Sequence, residues 1–150
     1  MTQTHDVDDW DAHWSHKGGS ARWNPAQRWR RNLINGHLSG FPNVKRVVDV
    51  GCGQGELLAS LGADMKPGVS LFGVDGSAEG VQNARLTAPS AEVVVGDLLT
   101  GAGIPHAWLG TMDVAICSEV LEHVDEPVRV LECAGKLTRS GGFLIVTVPG

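Results

Sequence analysis

The string Val47-Val48-Asp49-Val50-Gly51-Cys52-Gly53-Gln54-Gly55 constrains the fold of this chain more than any other. A short, unbroken apolar run is the pattern of a strand buried on both faces. It leads straight into a G-x-G-x-G turn, where missing side chains let the backbone bend sharply and approach a ligand closely. Four more runs repeat the strand pattern: Leu71-Phe72-Gly73-Val74, Val93-Val94-Val95, Val114-Ala115-Ile116-Cys117 and Phe143-Leu144-Ile145-Val146. Helical stretches separate them, at about 54 to 62, 78 to 88 and 127 to 138. In the last, Pro127 opens the helix, Val130, Leu131, Ala134 and Leu137 form its apolar stripe, and Glu132 pairs with Lys136 on the exposed side. The segment from Leu98 to Thr111 carries Gly and Pro without a period and reads mostly as loop.

Strands alternating with helices predict an α/β fold, a Rossmann-like doubly wound parallel sheet of about five strands. Before residue 44 the pattern differs. Trp10, Trp14, Trp23 and Trp29 crowd into the first 29 residues with Arg22, Arg28, Arg30 and Arg31. Asn24 followed by Pro25 reads as a cap and first helical residue. Trp29, Leu33 and His37, with Ile34 and Leu38, mark one helix face ending near Gly40. Residues 1–43 are therefore expected to form a helical lid or brace, and residues 44–150 the core.

Composition narrows the class of partner. With 150 residues the chain fits one domain, and no run of 18 apolar residues offers a membrane span. A net charge of -5 argues against nucleic acid as partner. The first ten residues hold three Asp and no Lys or Arg, unlike a secretory signal. Cys52, Cys117 and Cys133 show no CxxC spacing and read as reduced thiols, which predicts a cytoplasmic location.

In doubly wound sheets a ligand sits beyond the carboxyl ends of the strands. Those ends carry Asp49, Asp75, Asp97 and Glu119, an acidic rim in which the sequence shows no Lys or Arg. A dinucleotide fingerprint needs its third glycine one residue later, where Glu56 stands, and a carboxylate there repels pyrophosphate. A cationic ligand with ribose hydroxyls suits the rim better, and S-adenosylmethionine (SAM) fits that description. Each feature also has a plain structural reading: glycine turns open many helices, and Asp75 before Gly76-Ser77 serves equally as a helix cap.

These residues resemble the class I SAM-dependent methyltransferase family, in its small-molecule branch. The glycine-turn string looks like the family's first motif, Gly73-Val74-Asp75-Gly76-Ser77 its second-strand motif, and Gly96-Asp97-Leu98 its adenine-facing segment. Asp113 through Val124 is similar to its fourth-strand motif, and Leu137 through Pro149 to the entry to strand five. The resemblance implies that Asp49, Gly51, Cys52, Gly53 and Gly55 surround the methionine end of SAM. It places Asp75, Gly76 and Ser77 at the ribose, Asp97 and Leu98 at the adenine, and Cys117 and Ser118 beside the ammonium. An Arg of the amino-terminal segment, Arg22 or Arg28, would meet the carboxylate. Family members carry seven strands, so the chain is expected to lack strands six and seven. That implies either a truncated fragment or an open sheet edge covered by a second copy or a partner.

The expected activity is methyl transfer to a small-molecule or lipid-like acceptor, with O-methylation favoured. Glu119, Glu122 and His123 share one face if helical. Their Glu-x-x-Glu-His string is similar to that of ubiquinone-pathway O-methyltransferases and small-RNA 2′-O-methyltransferases, where it is associated with a divalent metal such as Mg2+. His123 acting alone as base, with Glu122 beside it, is the other reading, and two polar residues at a helix start the plainest. His13 and His16 are expected to pack with the Trp cluster, His37 on a buried helix face, and His106 in a loop. Two rival functions stay open: a SAM-binding module without catalysis and a nicotinamide-dependent dehydrogenase.

Overall fold

The computed structural model describes residues 25–149. Helix α1 (Pro25–Gly40) precedes strand β1 (Arg46–Val50), helix α2 (Glu56–Asp64), strand β2 (Ser70–Asp75) and helix α3 (Ala78–Thr87). Strand β3 (Glu92–Val95), strand β4 (Met112–Ser118), helix α4 (Pro127–Leu137) and strand β5 (Thr138–Thr147) complete the order. All pairings are parallel and the sheet runs β3-β2-β1-β4-β5, so strand order reverses between β1 and β4. That is where such sheets place their ligand crevice.

Side-chain alternation divides the core into two layers. On one face Val47, Val114 and Ile116 meet Ile34 and Leu38 of α1, Leu58 and Leu61 of α2, and Val81 and Ala84 of α3. On the other, Val48, Val50, Val74 and Ala115 meet Val130, Ala134 and Leu137 of α4. Trp108 lies in a short turn within the expected loop and packs edge-on against Phe72 at 5.1 Å. It plugs the second layer, a role its glycine- and proline-rich surroundings did not signal.

Two expectations need correction. The edge strand β5 is not buried on both faces: Phe143, Leu144 and Val146 are each about 40% exposed. Their continuous apolar pattern belongs to a strand with only β4 as its neighbour among the described residues. Helix α1 buries Ile34 and Leu38 alone, whereas Trp29 is 65% exposed and Leu33 and His37 also face outward. Its buried stripe is therefore narrower than the sequence implied. Asn24, Arg22, His13, His16 and the other amino-terminal tryptophans lie outside the described residues.

Candidate functional site

The glycine turn is shaped by its neighbours. Gly51 has φ +83°, and a Cβ there would run into Val120. Gly55 has φ +79°, and a Cβ would come within 2.9 Å of Ala84, so the third glycine lets α2 and α3 pack closely. Both positions exclude L side chains, by conformation and by space. The amides of Gly51 and Cys52 donate to the Val74 carbonyl at 2.8 and 3.1 Å.

Asp75 fastens this turn to the next one. Its Oδ2 accepts from the Gly53 amide at 2.8 Å and its Oδ1 from the Ser77 amide at 2.8 Å. Ser77 in turn caps α3, accepting from the Gly80 amide at 3.0 Å. Asp49 is buried beneath, and burial together with the charge of Asp75 pushes its carboxyl up to about 7. Asp97 behaves oppositely. Hydrogen bonds from the Thr100 hydroxyl at 2.7 Å and the Leu99 amide at 2.8 Å hold its carboxyl below the usual range. Its carboxylate shapes the 97–102 turn, and Asp97 and Leu98 line the crevice.

These groups line one cavity of about 870 Å³, within the span that suits a small-molecule ligand. Of the residues expected from the sequence, Asp49, Gly51, Cys52, Gly53, Asp75, Gly76, Asp97, Leu98, Ser118, Glu119 and His123 reach it. Gly55, Ser77, Cys117 and Glu122 stand behind that lining. Arg30 and Arg31 of α1 join the acidic strand ends in this lining. Arg30 pairs with Glu119 at 3.0 Å and Arg31 with Glu56 at 3.3 Å. Neither Arg28, which points to solvent, nor Arg22, outside the described residues, is among the lining.

Glu119 departs most from expectation. It takes a left-handed backbone, φ +57°, rare for a side chain of this size. Its amide donates to the Thr147 carbonyl at 3.1 Å, and its Oε1 is buried without a hydrogen-bond partner among the described residues. Burial raises its carboxyl despite the opposing pull of Arg30. The chain then makes only a short 3-10 turn, Leu121–His123, rather than the α-helix that would align Glu119, Glu122 and His123. Among the described residues no group of three His, Cys, Asp or Glu side chains is placed to hold a metal ion. The expected three-residue Mg2+ site is not assembled among the described residues: Glu119 pairs with Arg30 at 3.0 Å, and Glu122 and His123 lie 3.7 Å from each other.

Residues 20–150 match the methyltransferase domain family. The chain belongs to that family. A ubiquinone biosynthesis O-methyltransferase of Pectobacterium atrosepticum is 40% identical over 102 residues, 67% of this chain and 41% of that protein. The methyltransferase found in a complex with the Haloferax volcanii Trm112 activator is 30% identical. It aligns over 91% of this chain and 58% of its own, with a TM-score of 0.67. A TehB-like SAM-dependent methyltransferase of Corynebacterium glutamicum shares the fold at 22% identity and a TM-score of 0.64, over 91% of this chain and 72% of its own. The chain spans about half the length of the curated relatives it matches. The SAM-dependent methyltransferase reading of the sequence stands, and none of these similarities supports the nicotinamide reading. No helix among the described residues is long and apolar enough to cross a membrane.

Proposed function

We propose that this chain forms the SAM-binding and catalytic core of an O-methyltransferase acting on a small or lipid-like hydroxylated acceptor. The observation that carries the reading is the acid-floored, glycine-cradled cavity at the point where strand order reverses. It fits SAM because Gly51 and Gly55 hold backbone where no Cβ has room, and because buried Asp49 favours a cation above it. The relatives named O-methyltransferases support the choice of oxygen as acceptor atom.

Asp75 takes the ribose hydroxyls, and the Asp97–Leu98 backbone flanks the adenine. Asp49, the glycine turn and the Cys117–Ser118 backbone surround the amino-acid end. When bound, SAM supplies a methyl group on a sulfonium, which the acceptor oxygen displaces in line. The protein's part is to hold donor and acceptor collinear and to remove the hydroxyl proton. His123 reaches the cavity with Glu122 beside it and accepts that proton.

Calorimetric titration with SAM tests the placement. Asp75→Ala is expected to weaken binding by about 1–3 kcal/mol, roughly 10- to 100-fold; an unchanged affinity puts the ribose elsewhere. Labelled-methyl transfer to a hydroxyl acceptor tests the chemistry, with His123→Ala expected to cost about 10²–10⁴ in rate. SAM binding without any transfer supports the non-catalytic module instead. We further infer a cytoplasmic setting, because Cys52, Cys117 and Cys133 are all free and buried. The exposed edge of β5 is expected to be paired in the working protein, by further strands of a longer chain, by a second copy or by a partner.

A further inference from the structure

Among the described residues, only Asn43 and Glu119 take a positive φ without being glycine. Asn43 lies on an exposed turn and is of a type that accepts this conformation readily. Glu119 is neither exposed nor of that type, and such a residue persists only where its surroundings over-determine it. The surroundings here are the last pair of the β4–β5 ladder, Ser118 opposite Thr147.

Thr147 grips the turn twice. Its carbonyl accepts from the Glu119 amide at 3.1 Å, and its hydroxyl shares a 2.7 Å hydrogen bond with the Ser118 hydroxyl. Ser118 and Glu119 line the cavity, whereas Thr147, half-buried at the end of the edge strand, stands outside the lining. The turn also decides where the next residues go. Val120 folds back into the space that a Cβ on Gly51 would need, and its carbonyl accepts from the His123 amide at 3.0 Å. One run of contacts therefore leads from Thr147 through residues 118–120 to both the glycine turn and His123. A serine hydroxyl with no partner is free to rotate among its staggered positions, so the Thr147 hydroxyl fixes the one that Ser118 presents to the cavity.

We propose that Thr147 is a positioning residue of this site: its hydroxyl orients Ser118, and its carbonyl holds the left-handed turn at Glu119, for a ligand that Thr147 itself does not meet. The inference rests on the SAM reading and deepens it. It divides the work of one residue in two. The carbonyl bond survives any side chain at this position, whereas the hydroxyl bond needs Thr or Ser. Substitution therefore isolates the hydroxyl and leaves the turn its main-chain support.

SAM is titrated calorimetrically into the wild type, Thr147→Val, Thr147→Ser, Ser118→Ala and the double variant Ser118→Ala/Thr147→Val, with a denaturation curve for each. Thr147→Val keeps the branched shape and removes the hydroxyl, and is expected to weaken SAM binding about 3- to 10-fold. Thr147→Ser, which restores the hydroxyl, should bind within about twofold of the wild type. In the double variant the two losses should fall well short of multiplying, because the hydroxyl acts through Ser118. A Thr147→Val affinity within about twofold of the wild type overturns the proposal. So does a loss that Thr147→Ser fails to restore, and so do losses that multiply in full, as independent sites give. Should Thr147→Val not fold, Thr147→Ala takes its place against the same thresholds. Failure of the wild type to bind SAM takes down the SAM reading itself, a result distinct from all of these.

Discussion

The floor and the roof of the cavity are built from different materials. The floor is main chain and buried carboxylate: the glycine turn hangs on the Val74 carbonyl, Asp75 ties two turns together, and Asp49 lies in the core. The roof is side chain on a helix with one well-packed half, its cavity end tied by two partly exposed ion pairs. A floor of this kind holds its geometry whether or not a ligand is present. The roof adjusts at small cost. On the proposed function, that division is expected to give rigid recognition of the nucleoside and adaptable recognition of the amino-acid end.

Damage to the floor is therefore expected to be severe. Gly51→Ala forces an L residue into the left-handed region and drives a methyl into Val120, together about 2–6 kcal/mol. A chemical-denaturation curve should show a domain close to unfolding; a loss under about 1 kcal/mol would mean that the turn is not rigid. Asp49 is the next largest. Its folded-state pKa, about 7, lies above the unfolded carboxyl value, so the native protein holds a proton that the unfolded chain releases. Stability on this account is full below about pH 4 and is lost as pH rises through about 7, by on the order of 4 kcal/mol. Asp49→Asn should flatten that decline in melts taken across the window; an equally steep slope in the variant assigns it to other groups.

Within α1 the comparison sharpens to adjacent residues. Ile34→Ala should cost about 2–4 kcal/mol and its exposed neighbour Leu33→Ala under about 0.5 kcal/mol. Equal losses would show that α1 is seated on a different face. The smallest effect belongs to the ion pairs: Arg30→Gln and Arg31→Gln should each lower unliganded stability by under about 1 kcal/mol, with little further loss in high salt.

The same division explains how much the sequence disclosed. The floor was legible because a both-faces-buried strand leaves an unbroken apolar run, and because a turn at positive φ leaves glycines at fixed spacing. Asp49, Asp75 and the Asp97–Leu98 segment could be placed from that register alone. The roof was not, since α1 touches the core along a stripe too narrow to outweigh Trp29, Leu33 and His37 in the pattern. Arg30 and Arg31 read as a solvated face because their partners, Glu119 and Glu56, are far away in sequence. The expected metal triad rested on helical spacing, whereas the chain places a left-handed residue at Glu119 and a short 3-10 turn after it. For β5, apolar content announced burial without saying on how many sides a neighbour would lie.

One contact joins two features otherwise remote from each other. Phe41, the residue directly after α1, stacks on Phe143 of β5 with ring centres 4.0 Å apart and planes 2° from parallel. The far end of the cavity's cover thus leans on the outermost strand of the sheet. A neighbour pairing with that strand would lie beside the same two rings, next to the end of the helix that carries Arg30 and Arg31.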